Sequence, residues 1–340
     1  MKDKLSETVY FRPYPENIKE DDKYLFDNLL ERKIAVTINN RILKNAYINY
    51  EGHIWTGLKI VKDVSFHLRK NTLKNYYTEL KHIFKYLLRK KIIKIDTACW
   101  IIDDWSYNYG HFLIDFMQRY IQVRKKCTED FCVILPGNYK NYNYLTEIFK
   151  VLQINFFYIE ENLLIKVKKL FIPDFYWPPG IINNNIINDV RKVFFDLINS
   201  ANIIPEQKRI FITRNISGKR KIINENELTP ILEKYHFTIS YMADMPIADQ
   251  IELCFNAEII VGLHGGGLAN IMFMKKGKVL ELRMSGAIDQ WSYFELASAL
   301  EHKYYYLLCK PATLNLNPYE GDVVVNIQEF ENLISSVLKN

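Results

Sequence analysis

Three groups of residues combine types and spacings that can do chemistry. The first is Gly262-Leu263-His264-Gly265-Gly266-Gly267, set between apolar runs at 259–261 and 278–282. Adjacent glycines permit positive φ and leave backbone N–H groups open to a close ligand, and a helix starting there directs partial positive charge to the same spot. An anion, above all a phosphate, would suit such a turn. A glycine turn that simply packs a helix on a strand fits the same letters. The second group is His111 and Asp115, four residues apart and so on one face of a segment that reads as a helix from Gly110 to Lys125. A carboxylate there can hold the imidazole in the tautomer that leaves its other nitrogen free to accept a proton; a structural histidine with an aspartate in the first helical turn is the competing reading. The third is Arg214, at the end of a strand spanning Arg209 to Thr213, with Arg220 shortly after it. Two guanidinium forks beside the glycine turn can clamp a polyphosphate, or can be solvated loop arginines.

The glycine turn is not the dinucleotide fingerprint G-x-G-x-x-G. His264 stands where the second glycine belongs, and its imidazole can donate to a phosphate oxygen. Glu281 closes the following strand, where doubly wound folds place an acid on a ribose. Asn224 and Glu225 follow Arg220 closely enough to shape the same pocket, although Glu225 also suits the start of a helix.

The elements that must position these groups read as α/β. After the punctuation Pro173 to Gly180, helices and strands alternate: helix 184–200, strand 209–213, helix 225–235, strand 237–241, helix 246–256, strand 258–262, helix 267–275, strand 278–282, helix 289–301 and strand 304–308. Such alternation predicts a parallel sheet wrapped by helices, with ligands at the C-terminal strand ends. Upstream, residues 1–45 are weakly patterned, Ala46 to Trp55 reads as a hairpin turning at Glu51-Gly52, and Leu58 to Phe66 as a further strand. Lys81 to Ile95 reads as a helix whose basic face, Lys81 to Lys94, could touch anionic lipid or simply face water. A strand is expected at Cys99 to Ile102, with others at Cys132 to Leu135 and Leu163 to Ile172 around a helix near 144–152. We therefore expect an N-terminal domain over 1–178, a C-terminal domain over 179–326, and a last helix at 327–340 packing back on the first.

At 340 residues, 49% apolar and 25% charged, the chain can bury two cores, and a net charge of +6 is too mild for a nucleic-acid partner. Five scattered cysteines without C-x-x-C spacing argue against a zinc site or disulfide framework, and no apolar run reaches spanning length, so a cytoplasmic location is expected.

Taken together, Trp105-x-x-Asn108-Tyr109-Gly110-His111-Phe112-x-x-Asp115, then Ile212-Thr213-Arg214, Arg220-x-x-x-Asn224-Glu225-x-Glu227-Leu228, Gln250, Gly262-x-His264-Gly265-x-Gly267-Leu268-x-Asn270-x-x-Phe273 and Glu281 resemble glycosyltransferase family 61. The order of motifs holds from about residue 45 to 285, and Gly266 departs from the usual alanine. The resemblance implies a GT-B fold, two Rossmann-like domains facing across a cleft, here with a β-rich beginning. It further implies inversion at the anomeric carbon, no essential metal and no cofactor beyond a nucleotide-sugar co-substrate, uridine-linked at family level, with a glycan hydroxyl as acceptor. The absence of a D-x-D motif agrees with metal independence; the adjacent Asp103-Asp104 is the nearest substitute. On this reading Arg214, Arg220, His264 and the amides of Gly265, Gly266 and Gly267 hold the diphosphate, with Asn224, Glu225, Asn270 and Glu281 completing the donor site. His111, or else Asp115 directly, serves as base. Trp105, Tyr107, Asn108 and Tyr109 line the acceptor side, the rings stacking on sugars or merely packing. A Rossmann-type enzyme of another kind and a non-catalytic glycan or nucleotide binder are the other classes the sequence admits.

Overall fold

The computed structural model describes residues 7–35, 40–61, 84, 86–88, 90–174, 178–197, 208–215, 219–313 and 321–339. The chain forms two compact units, one comprising Met1–Ser6 and Ala35–Pro179, the other Glu7–Ile34 and Gly180–Asn340. A short sheet opens the chain, pairing β1 (Glu7–Phe11) with β2 (Glu31–Ala35).

The first unit is built on a seven-stranded sheet. Its members are β3 (Asn40–Asn49), β4 (Ile54–Thr56), β5 (Lys59–Ile60), β6 (Lys91–Cys99), β7 (Cys132–Pro136), β8 (Phe156–Ile159) and β9 (Leu163–Pro173), in the order β5-β4-β3-β9-β6-β7-β8. Strands β9, β6, β7 and β8 run parallel, while β3 is antiparallel to β9 and β4 and β5 follow it in antiparallel succession. The hairpin turns where Gly52 takes φ 78, a left-handed conformation that costs glycine little. The chain runs from β6 outward to β7 and β8, then returns to β9 on the other side of β6. That reversal makes the C-terminal ends of β6 and β9 a topological switch point, where open parallel sheets leave a crevice for ligands.

Two expectations in this unit are corrected. The helix expected over Lys81 to Ile95 does not extend through its second half, because Lys91–Cys99 is a strand paired with β9. Ile92, Ile93 and Ile95 are β-branched and prefer the pleated ladder. Phe84 and residues 86–88 are helical, and positions 81–83, 85 and 89 lie outside the described residues, as do 62–66 of the strand expected to follow Leu58. The basic face expected to run on to Lys94 is thus broken at Lys91. The strand expected at Cys99 to Ile102 ends at Cys99; the Trp100 N–H still donates to the Phe171 carbonyl at 2.9 Å, and Ile101 and Ile102 are buried in irregular backbone.

The second unit holds α4 (Asn184–Phe195) and a six-stranded sheet with the order β11-β10-β12-β13-β14-β15. Along the chain come β10 (Lys208–Ile212), α5 (Glu225–Lys234), β11 (Phe237–Ser240), α6 (Ile247–Phe255), β12 (Ala257–Leu263), a 3-10 helix (Gly266–Phe273), β13 (Lys278–Met284), α7 (Ser292–Ala299), β14 (Lys303–Pro311), β15 (Val323–Val324) and α8 (Ile327–Lys339). The first five strands are parallel and β15 is antiparallel. Ile259, Ile260 and Val261 are wholly buried, as a parallel strand covered on both faces requires. The winding reverses between β10 and β12, so a second switch point lies at their C-terminal ends.

Residues 7–34 were expected in the N-terminal domain but pack on the second unit. Arg12 makes a wholly buried 2.9 Å ion pair with Glu295, which Arg32 also engages, and Asn17 exchanges two hydrogen bonds with the Tyr306 backbone. Phe26 sits edge-on between Phe294 and Tyr304 and leans on Tyr306. The last helix, expected to pack back on the first domain, buries Phe330, Ile334 and Val337 in the second unit's own core, because these positions form one apolar stripe at helical spacing. Among the described residues no helix is long and apolar enough to cross a membrane.

Candidate active site

In the second unit, Arg214 follows β10 and His264 and Gly265 follow β12, so neighbouring strands deliver all three to the switch point. Glycine is required at 265 for space. Its φ of 162 is ordinary extended backbone, but a Cβ there would meet Arg214 Nη1 at 2.1 Å. None of the glycines at 262 and 265–267 takes a left-handed φ, which corrects the expectation that the turn exploits left-handed backbone. Gly262 and Gly267 instead let the 3-10 helix pack on Ile212, to which a Cβ would come within 3.3 and 3.0 Å. A Gly265→Ala substitution should therefore fold, since only the tip of a flexible arginine must move, yet displace that guanidinium. We expect its melting temperature to stay near wild type while its affinity for a nucleoside diphosphate falls; unchanged affinity would separate Gly265 from the site.

Arg214 donates through Nε to the Arg220 carbonyl, and Arg220 takes a left-handed φ of 56. Burial first, and the Arg220 charge second, work against the charged form of Arg214, so an anion placed between the two arginines would relieve both. The His264 ring lies 5.0 Å from that of Tyr293, its side chain 14% exposed, and its Nδ1 is bonded to Glu281. Burial pushes His264 below the ordinary histidine range, against the opposing pull of Glu281.

The remaining donor-side candidates support the turn from behind. Glu281 is fully buried, one oxygen on His264 and the other accepting from the Tyr304 hydroxyl, so it does not present a carboxylate to a ribose as expected. Asn270 is buried and donates to the Gly267 carbonyl at 3.0 Å. Asn224 exchanges two hydrogen bonds with the Val325 backbone, at 2.9 and 3.0 Å, and so fastens α5 to the β15 segment and does not shape a pocket. Glu225 begins α5 and accepts from the Thr213 hydroxyl; burial raises its pKa.

In the first unit, the segment after β6 leads to α1 (Tyr109–His111), where the Asn108 side chain accepts from the Gly110 N–H at 3.0 Å. A π-helical turn, Phe112–Phe116, follows directly and continues into α2 (Met117–Lys126), with α3 (Asn143–Val151) further along the chain after β7. Such turns recur at functional sites because they re-aim side chains within a helix. Here Asp115 lies inside the turn and its Oδ2 is 2.7 Å from His111 Nδ1. With the carboxylate accepting from Nδ1–H, the lone pair falls on Nε2, and the imidazole is 28% exposed while Asp115 is 7% exposed. Trp105, about half exposed, has its ring 5.7 Å from that of His111. Tyr107 is 43% exposed beside Tyr142, and Tyr109 stands edge-on to Tyr144, whose hydroxyl donates to the Tyr107 carbonyl at 2.6 Å.

A buried ion pair fixes this loop. Asp103, the residue weighed as half of a metal clamp, is held by Arg119 at 2.6 Å and by Ser106 at 2.8 Å. Burial alone would push the Asp103 carboxyl up, but Arg119, Ser106 and the Trp105 N–H outweigh it and hold it at about 2. The folded value lies below the unfolded one, so this stabilisation is complete above the unfolded value of about 3.9 and disappears as pH falls through about 2, a contribution of about 2 to 3 kcal/mol. Denaturant midpoints followed from about pH 6 to about pH 2 should fall through that window, and fall less in Asp103→Asn, which starts lower because Arg119 loses its partner. Parallel curves would contradict the pairing.

The motif order that suggested a family has an independent counterpart. The family described as Glycosyltransferase 61 matches residues 109–280, about half the chain and the whole stretch from His111 to the strand of Glu281. The chain belongs to glycosyltransferase family 61. Similar proteins include the EGF domain-specific O-linked N-acetylglucosamine transferases of Bos taurus, 30% identical over 95 residues, and of Rattus norvegicus, 25% identical over 142 residues. These matches cover 26% and 37% of the chain but only 18% and 27% of the relatives' length.

Several residues around the two clusters escape a reading of the sequence. Tyr293 and Tyr304 reach His264 and Glu281 from α7 and β14, and their placement depends on sheet order, which letters alone do not reveal. Arg119 carried a signal: a cation inside an otherwise apolar helical stretch usually implies a buried partner.

Proposed function

We propose that the protein is an inverting glycosyltransferase of GT-B type that moves a sugar from a nucleotide donor, a uridine diphosphate sugar in the first instance, to a hydroxyl of a glycan or glycoconjugate without an essential metal ion. The observation that carries this is the guanidinium of Arg214 lying on Gly265 at the switch point of a parallel sheet, with Arg220 and His264 beside it. Fixed positive charge in a partly buried place stabilises a departing diphosphate at the moment the glycosidic bond breaks, as a divalent ion would. His111, oriented by Asp115, takes the proton of the acceptor hydroxyl through Nε2, and a sugar ring stacks on Trp105 and Tyr107. The acceptor oxygen attacks the anomeric carbon from the face opposite the diphosphate, which inverts that centre in one displacement.

A panel of nucleotide sugars and nicotinamide dinucleotides screened by thermal shift tests the donor class. A ligand that binds only the folded state at about 100 times its Kd adds about 2.7 kcal/mol. A saturable rise with a uridine diphosphate sugar is expected; a rise with the dinucleotides alone would replace this reading with a dehydrogenase-like one.

A further inference from the structure

His264 is held in a way that a simple phosphate ligand would not require. Its Nδ1 is committed to Glu281, whose second oxygen accepts from Tyr304, and both partners are deeply buried. The Tyr304 phenol stays protonated, since burial and the neighbouring carboxylate both oppose its ionisation. Its position is set in turn by Phe26 and Phe294, packed against its ring at 6.4 and 5.3 Å. The chain tyrosine to glutamate to imidazole therefore fixes the proton on Nδ1 and leaves Nε2, on the opposite edge of the ring, as an acceptor. A neutral imidazole so oriented meets a phosphate oxygen lone pair to lone pair, which is repulsive. Among the described residues, the charged and titratable groups around it are Glu281 and Arg283 on β13, Arg220 in the loop after β10, Tyr304 on β14 and Tyr293 on α7, with Arg214 on the adjacent Gly265. Arg220 and Arg283 oppose a second proton on the ring in the empty site. A diphosphate held by Arg214 and Arg220 beside His264 reverses that balance, because its negative charges favour the protonated ring.

We propose that binding of the donor's diphosphate takes up one proton at His264 Nε2, turning a neutral acceptor into a cationic donor to a phosphate oxygen, with Glu281 and Tyr304 as the positioning residues that decide which nitrogen receives it. The proton comes from solvent and stays on the imidazole while the bond between the anomeric carbon and the phosphate oxygen breaks, the electron pair going to that oxygen. It returns to solvent when the nucleoside diphosphate leaves. This inference rests on the donor site assigned above.

Calorimetry with UDP and with GDP, run at about pH 7.5 in HEPES and in Tris, reads proton uptake from the difference in apparent heat between buffers of unlike ionisation enthalpy. Wild type should take up close to one proton per diphosphate, and its affinity should fall by up to about tenfold per pH unit between the free-state and the bound-state pKa of the ring and level off above the second. His264→Gln should bind more weakly with heat independent of buffer. Tyr304→Phe should keep the uptake and move its pH midpoint. Because a variant in this buried chain may not fold, nitrogen-15 chemical shifts of the histidine rings in unaltered protein provide a second reading: one imidazole should pass from the Nδ1–H tautomer to the doubly protonated form as UDP is added. Binding with buffer-independent heat and no such change overturns the proposal and leaves the donor site standing, as does uptake that persists in His264→Gln. Failure of both nucleotides to bind removes the donor reading and this inference with it.

Discussion

Replacing His111 with alanine is expected to cut turnover by about 10²- to 10⁴-fold, the range over which a positioned general base contributes, while the affinity for the nucleotide donor stays within about twofold of wild type. The split follows from where the residue sits. His111 is in the first unit, on a helix whose π-helical turn brings Asp115 within 2.7 Å of Nδ1 and leaves Nε2 with the lone pair. The arginines and the glycine turn belong to the second unit, held by a different sheet. Removing the imidazole leaves Asp115 largely buried without this partner, so some loss of stability is expected too, and activity must be compared at a temperature where both proteins are folded. His111→Gln, which can still hydrogen-bond Asp115, should recover stability without recovering turnover. A structural histidine would behave the other way, with both variants near wild-type rates when folded.

Arg214→Ala should lower turnover by about 10²- to 10³-fold, the usual loss when one preorganised charge or donor at a transition state is removed, or about 2.7 to 4 kcal/mol. Were Arg214 an ordinary solvated loop arginine, its removal would cost at most about 1 kcal/mol, less than tenfold. Those ranges do not overlap, so the size of the effect decides the role. Arg209, at the opposite end of the same strand, supplies the control: it pairs with Glu258 at 3.0 Å, and Arg209→Ala should leave turnover nearly unchanged. A comparable loss from both would mean that the sheet edge had been disturbed and not that a catalytic charge had been lost.

Much of the second unit was readable because its strands are short β-branched runs between amphipathic helices, a rhythm with a period the eye can follow. Both candidate clusters were readable too, since a histidine and aspartate four apart and three glycines after an apolar run are local patterns. What stayed hidden was decided at a distance. Residues 7–34 are bound through Arg12 and Arg32 to Glu295, through Asn17 to Tyr306 and through Phe26 to Phe294 and Tyr304, partners that lie far along the chain. The stretch from Lys91 to Ile95 carries isoleucines that suit a helix face and a strand equally, and pairing with β9 settled the matter. Glu281 occupies the register expected for a ribose-binding acid, yet it turns inward because His264 and Tyr304 satisfy it there. The glycine letters suggest backbone freedom, whereas it is Arg214 lying on Gly265, and Ile212 against Gly262 and Gly267, that leave no space for side chains.

The most direct test is the release of nucleoside diphosphate from a panel of nucleotide sugars by the purified protein held in excess chelator, with Arg214→Ala and His111→Ala alongside. The account predicts release from at least one donor in the presence of chelator, slowed by two or more orders of magnitude in Arg214→Ala, with transfer to an added glycan acceptor lost in His111→Ala. Release that occurs only after a divalent ion is restored, or that proceeds at the wild-type rate without Arg214, would contradict it.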